Sequence, residues 1–363
     1  MKLLILMAAL LLLHPAALSE VKTDALLDQT GFSRLAALSG ELGGPDAESI
    51  AWSALSGELK IADNLPSDIL ERLGREIKGA LTSALSALAA PVIVTLALRM
   101  ILGEDAGSLT LLCRLGCVYS LGRQCAWAIE VAGRGMGNAA RIADIATPVV
   151  AAALSLTGRA ASAAALTPLA AICVDAIQNA LIAWGLPLCG VAAVIAAGGS
   201  LSDHFRMDRL FDLICRAVTW GAGLLIAAFV GMMTLEGRLA ASKDGISTQA
   251  LRQALKGLIP YIGGSVSDSS GALLESALSV RNAVGVTGLL IVLGAAVKPA
   301  ISLSAHMLSL KLASALIEPV ADPGIVRVTA RYGEISRALL ALYAGSAMLS
   351  ALLIGAGAGL MGF

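Results

Sequence analysis

Few side chains in this sequence could make or break bonds. Its three histidines are His14, His204 and His306. His204 lies in SDHFRMDRLFD beside Asp203, Asp208 and Asp212, side-chain types that can hold a divalent cation. The interleaved Arg206 and Arg209 compete for those carboxylates, so the stretch reads as the solvated entry to a helix. His306, in SAHMLSL, stands alone on an apolar segment, the usual setting of a packed histidine. The cysteines Cys113, Cys117, Cys125, Cys173, Cys189 and Cys215 all fall in apolar stretches and read as small buried hydrophobes. Cys113, Cys117 and Cys125 recur at helical spacing, but no histidine is near to complete a metal shell. Gly357, Gly359 and Gly362 match GxGxxG spacing near the last written residue, with no helix after them to receive a pyrophosphate. GxxxxGK[ST], HExxH and GxSxG are all missing. No enzyme, metal or cofactor is expected.

The densest run of backbone-active residues is LIPYIGGSVSDSS, Leu258–Ser270. Pro260 lacks an amide proton, Gly263 and Gly264 free the backbone, and Ser265, Ser267 and Asp268 offer side-chain acceptors. Ser267 or Asp268 is expected to cap a new helix. Two readings stand: a plain surface loop before a capped helix, or a re-entrant, cavity-lining break near 258–283, since irregular backbone facing lipid would leave polar groups unpaired. Arg281 and Asn282 restore polarity before the run Ala283–Val297, and Lys298 before Pro299 is a further candidate buried charge.

The elements that would position these residues are helices in a bilayer. Hydrophobic residues are 57% of the chain and charged residues 14%, and the mean hydropathy is +0.81, outside the range of soluble domains. Basic and acidic residues number 26 each, so no basic excess exists to bind nucleic acid. Lys2, the apolar run Leu3–Leu13 and the small residues near Ala17 and Ser19 predict a signal peptide over 1–19, with a short uncleaved anchor as the other reading. Residues 20–80, with Gly43, Gly44, Pro45 and Pro66, predict a small polar extracytoplasmic region. It ends in an amphipathic helix in which Ile69, Leu73, Ile77 and Ala80 share a face.

Residues 81–363 predict a polytopic, all-α membrane helix bundle of about 6–8 spans. The clearest apolar blocks are Ala84–Leu102, Ile142–Leu156, Ala160–Ala183, Leu186–Gly199, Leu213–Leu235, Val284–Ala305 and Leu339–Leu360. Leu109–Ala132 carries Arg114, Arg123 and Glu130. Because a mid-span charge costs about 2.5–3.5 kcal/mol, that block must turn its charges inward or lie at an interface. The basic breaks Ser202–Arg216, Glu236–Lys256 and Asp322–Arg337 are the best cytoplasmic candidates. Steps such as Gly133-xxx-Gly137 allow close helix packing, within the subunit or with partner helices.

The string Leu255–Pro299 resembles the signature region of the stage III sporulation protein AE family. The likeness lies in IPYIGG at Ile259–Gly264, SVSD at Ser265–Asp268 and RNAVGVTG at Arg281–Gly288, which adds Gly285 to the structural candidates. The resemblance implies a non-enzymatic subunit of a transenvelope, secretion-like channel complex in the mother-cell membrane around the forespore. Its partners would be the other stage III sporulation proteins of the same operon. The alternative is a stand-alone secondary transporter with its site at the break near Pro260 and Lys298, although no matching break is evident in the first half of the chain.

Overall fold

In a computed structural model the described residues are 32–41, 107–156, 160–201, 207–258, 263–319 and 321–357, with a few positions between 74 and 93 that are helical. The expected signal peptide, Pro260 and the block Ala84–Leu102 lie mostly or wholly outside them. The elements are α1 (Phe32–Glu41), α2 (Gly107–Leu156), α3 (Ala160–Ala180), a π-turn (Leu181–Gly185), α4 (Leu186–Leu201), α5 (Asp208–Leu258), α6 (Gly263–Ile317) and α7 (Pro323–Gly357). No strand occurs among the described residues.

Several predicted blocks merge. Leu109–Ala132 and Ile142–Leu156 belong to one helix, α2, which carries Pro148 in its last turns. Ala160–Ala183 and Leu186–Gly199 form one helical run through the π-turn. Pro187 explains the turn: its ring crowds the carbonyl of residue 183, and one wide turn just before it moves that carbonyl aside without ending the helix. The wide turn also carries Trp184 against α5. There a Cβ on Gly221 would lie 2.5 Å from the indole, so glycine is what lets the two helices approach.

Contacts between named residues give the topology. Arg114 of α2 meets Ser200 of α4 and Asp322 beside α7, and at the far end Gln178 of α3 and Ser350 of α7 meet near Ala139 of α2. α2 and α7 therefore run parallel, with the α3–α4 run antiparallel to both. Trp127 faces His306, and Tyr343 reaches Ala296, so α6 is antiparallel to α2 and α7. Asp208 meets Arg331 and Cys173 meets Met232, which sets α5 parallel to α7. The result is an up-and-down bundle around α7, whose apolar window is 61% buried, against 17% for α5 at the periphery.

Four helices are long and apolar enough to cross a membrane: Ala170–Leu201, Asp208–Met233, Ala283–Ile317 and Pro323–Gly355. The expected 6–8 spans are thus reduced to four among the described residues. Blocks fuse, and the charges of α2 keep it outside that set although it packs along the others. The three breaks do not lie at one end of the bundle either. Residues 207–216 and 322–337 sit together at one end, whereas 236–256 continues α5 past the opposite end, because α5 is a single helix from Asp208 to Leu258.

Candidate functional site

Three helix ends are tied together at one end of the bundle. Asp322 precedes Pro323, and its Oδ2 accepts from the Gly324 amide at 3.0 Å, so it caps α7 with proline at the first helical position. The same oxygen accepts from Arg114 Nε at 2.7 Å, and Arg114 also donates to the Ser200 carbonyl at 3.2 Å. One guanidinium thereby joins the start of α2, the last turn of α4 and the start of α7. Its charge is set against a carboxylate whose side chain is only 3% exposed. Next to this knot Arg331 pairs with Asp208 and stacks 5.4 Å over the Phe211 ring. Lys311 and Arg337 both reach Glu334, at 3.1 and 2.7 Å.

The bundle interior holds sparse polar groups. Gln178 donates to Ser350 Oγ at 2.9 Å, and Ser350 donates to the Ala139 carbonyl, joining α3, α7 and α2. His306 is 4% exposed, with its ring edge-on to Trp127 at 5.6 Å and Nε2 without a hydrogen-bond partner. Neither a base nor a nucleophile approaches it among the described contacts, so it packs as a ring. His306→Phe keeps an aromatic ring and removes the unpaired Nε2 at a small gain in volume, so it should cost no more than about 1–3 kcal/mol, the range for overpacking. Melting the variant in detergent checks it.

The outer surface is two-sided. α5 and α4 present large apolar side chains, including Leu213, Trp220, Leu224 and Val194, as a lipid-facing wall would. α2 instead exposes Arg123, Glu130, Arg134, Arg141 and Asp144 along one face. Glu130 and Arg134 pair at 3.4 Å, and Arg141 reaches Glu41 of α1 at 3.5 Å. The charged block thus resolves both ways: Arg114 turns inward, and Arg123 and Glu130 turn outward.

Pro260 lies outside the described residues, and the other candidates of the stretch 258–299 fall along α6. Gly263, Gly264, Ser265, Ser267 and Asp268 are helical residues of α6, so the helix starts at Gly263 and not at a cap on Ser267 or Asp268. Ser–Asp motifs can cap a helix, but α6 has already begun there. Arg281 and Asn282 continue it, and Gly285 is buried in the core beside Val284 and Thr287. Lys298 is a correction: it is exposed on the outside of α6, not buried. Asp208 is held by Arg331, and no group of three metal-ligating side chains occurs among the described residues. His204 and Asp203 lie outside them. All six cysteines are free, with Cys117, Cys125 and Cys189 buried.

What single-sequence reading missed is the knot of Arg114 and Asp322, 208 positions apart. Its local half was visible, because Asp-Pro-Gly at 322–324 is a helix-start signature.

The family model described as "Stage III sporulation protein AE (spore_III_AE)" matches residues 108–360, from the start of α2 through all of α7. The chain belongs to this family. The matched stretch contains Leu255–Pro299, which carries the string resemblance, and the whole packed bundle. This family member is also similar to "Stage III sporulation protein AE" of Bacillus subtilis (strain 168), 24% identical over 207 residues, which cover 56% of this chain and 50% of that protein. The chain therefore spans about half the length of the curated relative it matches. No solved structure matches it.

Proposed function

We propose that this chain is a non-enzymatic membrane subunit of the stage III transenvelope channel complex between mother cell and forespore, working through contacts with the other stage III sporulation proteins. The observation that carries the reading is the family match over the entire helical bundle, residues 108–360. Physical support comes from polar pairs that join helices inside the body: Arg114 with Asp322, and Gln178 with Ser350. One cue bears on orientation: α1, from the region expected outside, packs its Leu38 with Ile142, Val149, Val284 and Ile291, at the end of the bundle away from Arg114 and Asp322.

The test is to tag the chain in a sporulating host, extract the membranes with a mild detergent and identify what is co-isolated. Other stage III proteins should be retained, and the purified chain alone in liposomes should move no solute. Solute transport by the isolated chain would instead favour the stand-alone transporter.

A further inference from the structure

We infer that the outward face of α2 from Arg123 to Asp144 borders water at the depth of the hydrocarbon, as one wall of an aqueous cavity. This rests on the membrane reading above and extends it to a particular surface.

Depth comes first. From Arg123 to Asp144 the helix rises about 31 Å, close to the ~30 Å thickness of a bilayer's apolar core. The face is not displaced beyond the spans, because Gly135, next to Arg134, abuts both Tyr343 of α7 and Pro299 of α6. Those residues fall near the middle of the candidate spans Pro323–Gly355 and Ala283–Ile317. The Glu130–Arg134 pair thus lies at mid-depth, and Lys298, adjacent to Pro299, joins it there on the neighbouring helix.

Exposure comes second. The Arg134 and Glu130 side chains are 66% and 64% exposed although they pair with each other. Arg123 and Lys298 are exposed and have no ion-pair partner among the described residues. Acyl chains would leave these charges unsolvated. A tightly packed partner helix would have to bury two unpaired cations, which is unfavourable unless it brings its own carboxylates. Water solvates all of them at once. The opposite side of the bundle sets the contrast, since α5 exposes Leu213, Trp220 and Leu224 along its span. Lipid fits the α5 side, and water fits the charged stretch of α2 from Arg123 onward, beyond the exposed Leu112, Leu115 and Tyr119 of its first turns.

The test is thiol accessibility in the full chain, co-expressed with its stage III neighbours, after replacing its six cysteines and confirming spore formation. Arg134→Cys and Gly137→Cys are the probes. Gly137 is suited because nothing lies within 4 Å of a Cβ there and all the charges are retained. Trp220→Cys and Leu224→Cys are the lipid-side controls. In unsealed membrane fragments a charged, water-soluble methanethiosulfonate should modify the α2 positions within about tenfold of an exposed loop thiol and the α5 positions at least about a hundredfold more slowly, because only a hydrated thiol ionises and reacts. If the α2 positions stay unmodified and Gly137→Cys forms a disulfide between copies, the face is a seam between subunits and the proposal fails. Unmodified positions without cross-linking place them against lipid or another protein, which also overturns it. Alkaline carbonate extraction separates the two levels: release of the chain from membranes would sink the membrane reading itself, whereas retention with unreactive α2 positions would sink only the cavity.

Discussion

Asp322→Ala is expected to lower the stability of the detergent-solubilised chain by about 3–5 kcal/mol, the cost of breaking a buried ion pair from one side. Two effects add. The carboxylate that neutralises Arg114 is removed while the guanidinium stays in a site where its side chain is 15% exposed. The α7 start also loses the acceptor for the Gly324 amide, worth about 1 kcal/mol as a helix cap. Asp322→Asn separates the contributions, since an amide oxygen still caps the helix but brings no charge. The double variant Arg114→Leu with Asp322→Leu should be less damaging than Asp322→Ala, because it removes both charges of the pair together. Thermal melts of the wild type, these three variants and the single variants Arg114→Leu and Asp322→Leu in one detergent provide the comparison. A double variant as unstable as the sum of its singles would show that the two residues do not act as a pair.

Gly135→Val is expected to be strongly disruptive. A Cβ at this position would stand 2.5 and 2.9 Å from the Tyr343 ring and 3.4 Å from Pro299, so α2, α6 and α7 meet here with no room for a methyl group. The ring cannot simply swing away, because Tyr343 donates its hydroxyl proton to the Ala296 carbonyl at 2.9 Å. Overpacking of this kind costs about 1–3 kcal/mol, and a β-branched side chain in a close-packed helix crossing belongs at the upper end. Gly137→Val is the matched control: it is two residues away on the same helix with open space around it. It should stay within about 0.5 kcal/mol of wild type, as surface substitutions do. Membrane levels of each variant and detergent melting temperatures report the difference. Equal losses at both positions would mean that the helix crossing at Gly135 is not tight.

How much of this was legible beforehand varies from residue to residue. The all-helical membrane body followed from composition and from the length of the apolar blocks, and the family from the string Leu255–Pro299. His306 read correctly as a packed ring because its neighbours in sequence are apolar. Blocks separated by proline did not have to be separate helices, since the π-turn before Pro187 carries the chain through. The stretch 258–264 read as a break, and α5 ends at Leu258 while α6 begins at Gly263, with Pro260 outside the described residues; what differs is that the new helix begins at the glycines and not at a cap on Ser267 or Asp268. Lys298 looked buried because its sequence neighbours are apolar. Facing is decided by which side of α6 packs on α2 and α7, and Lys298 is on the other side.

From the sequence alone came the apolar, span-length character of the chain and its helical secondary structure, because these depend on composition and local pattern. Tertiary structure alone decided where each charge points. Arg114 and Arg134 both sit on α2 among apolar residues, yet one is tied to Asp322 and the other is directed outward. Arg114 is drawn inward by partners 86 and 208 positions away, which no local window contains.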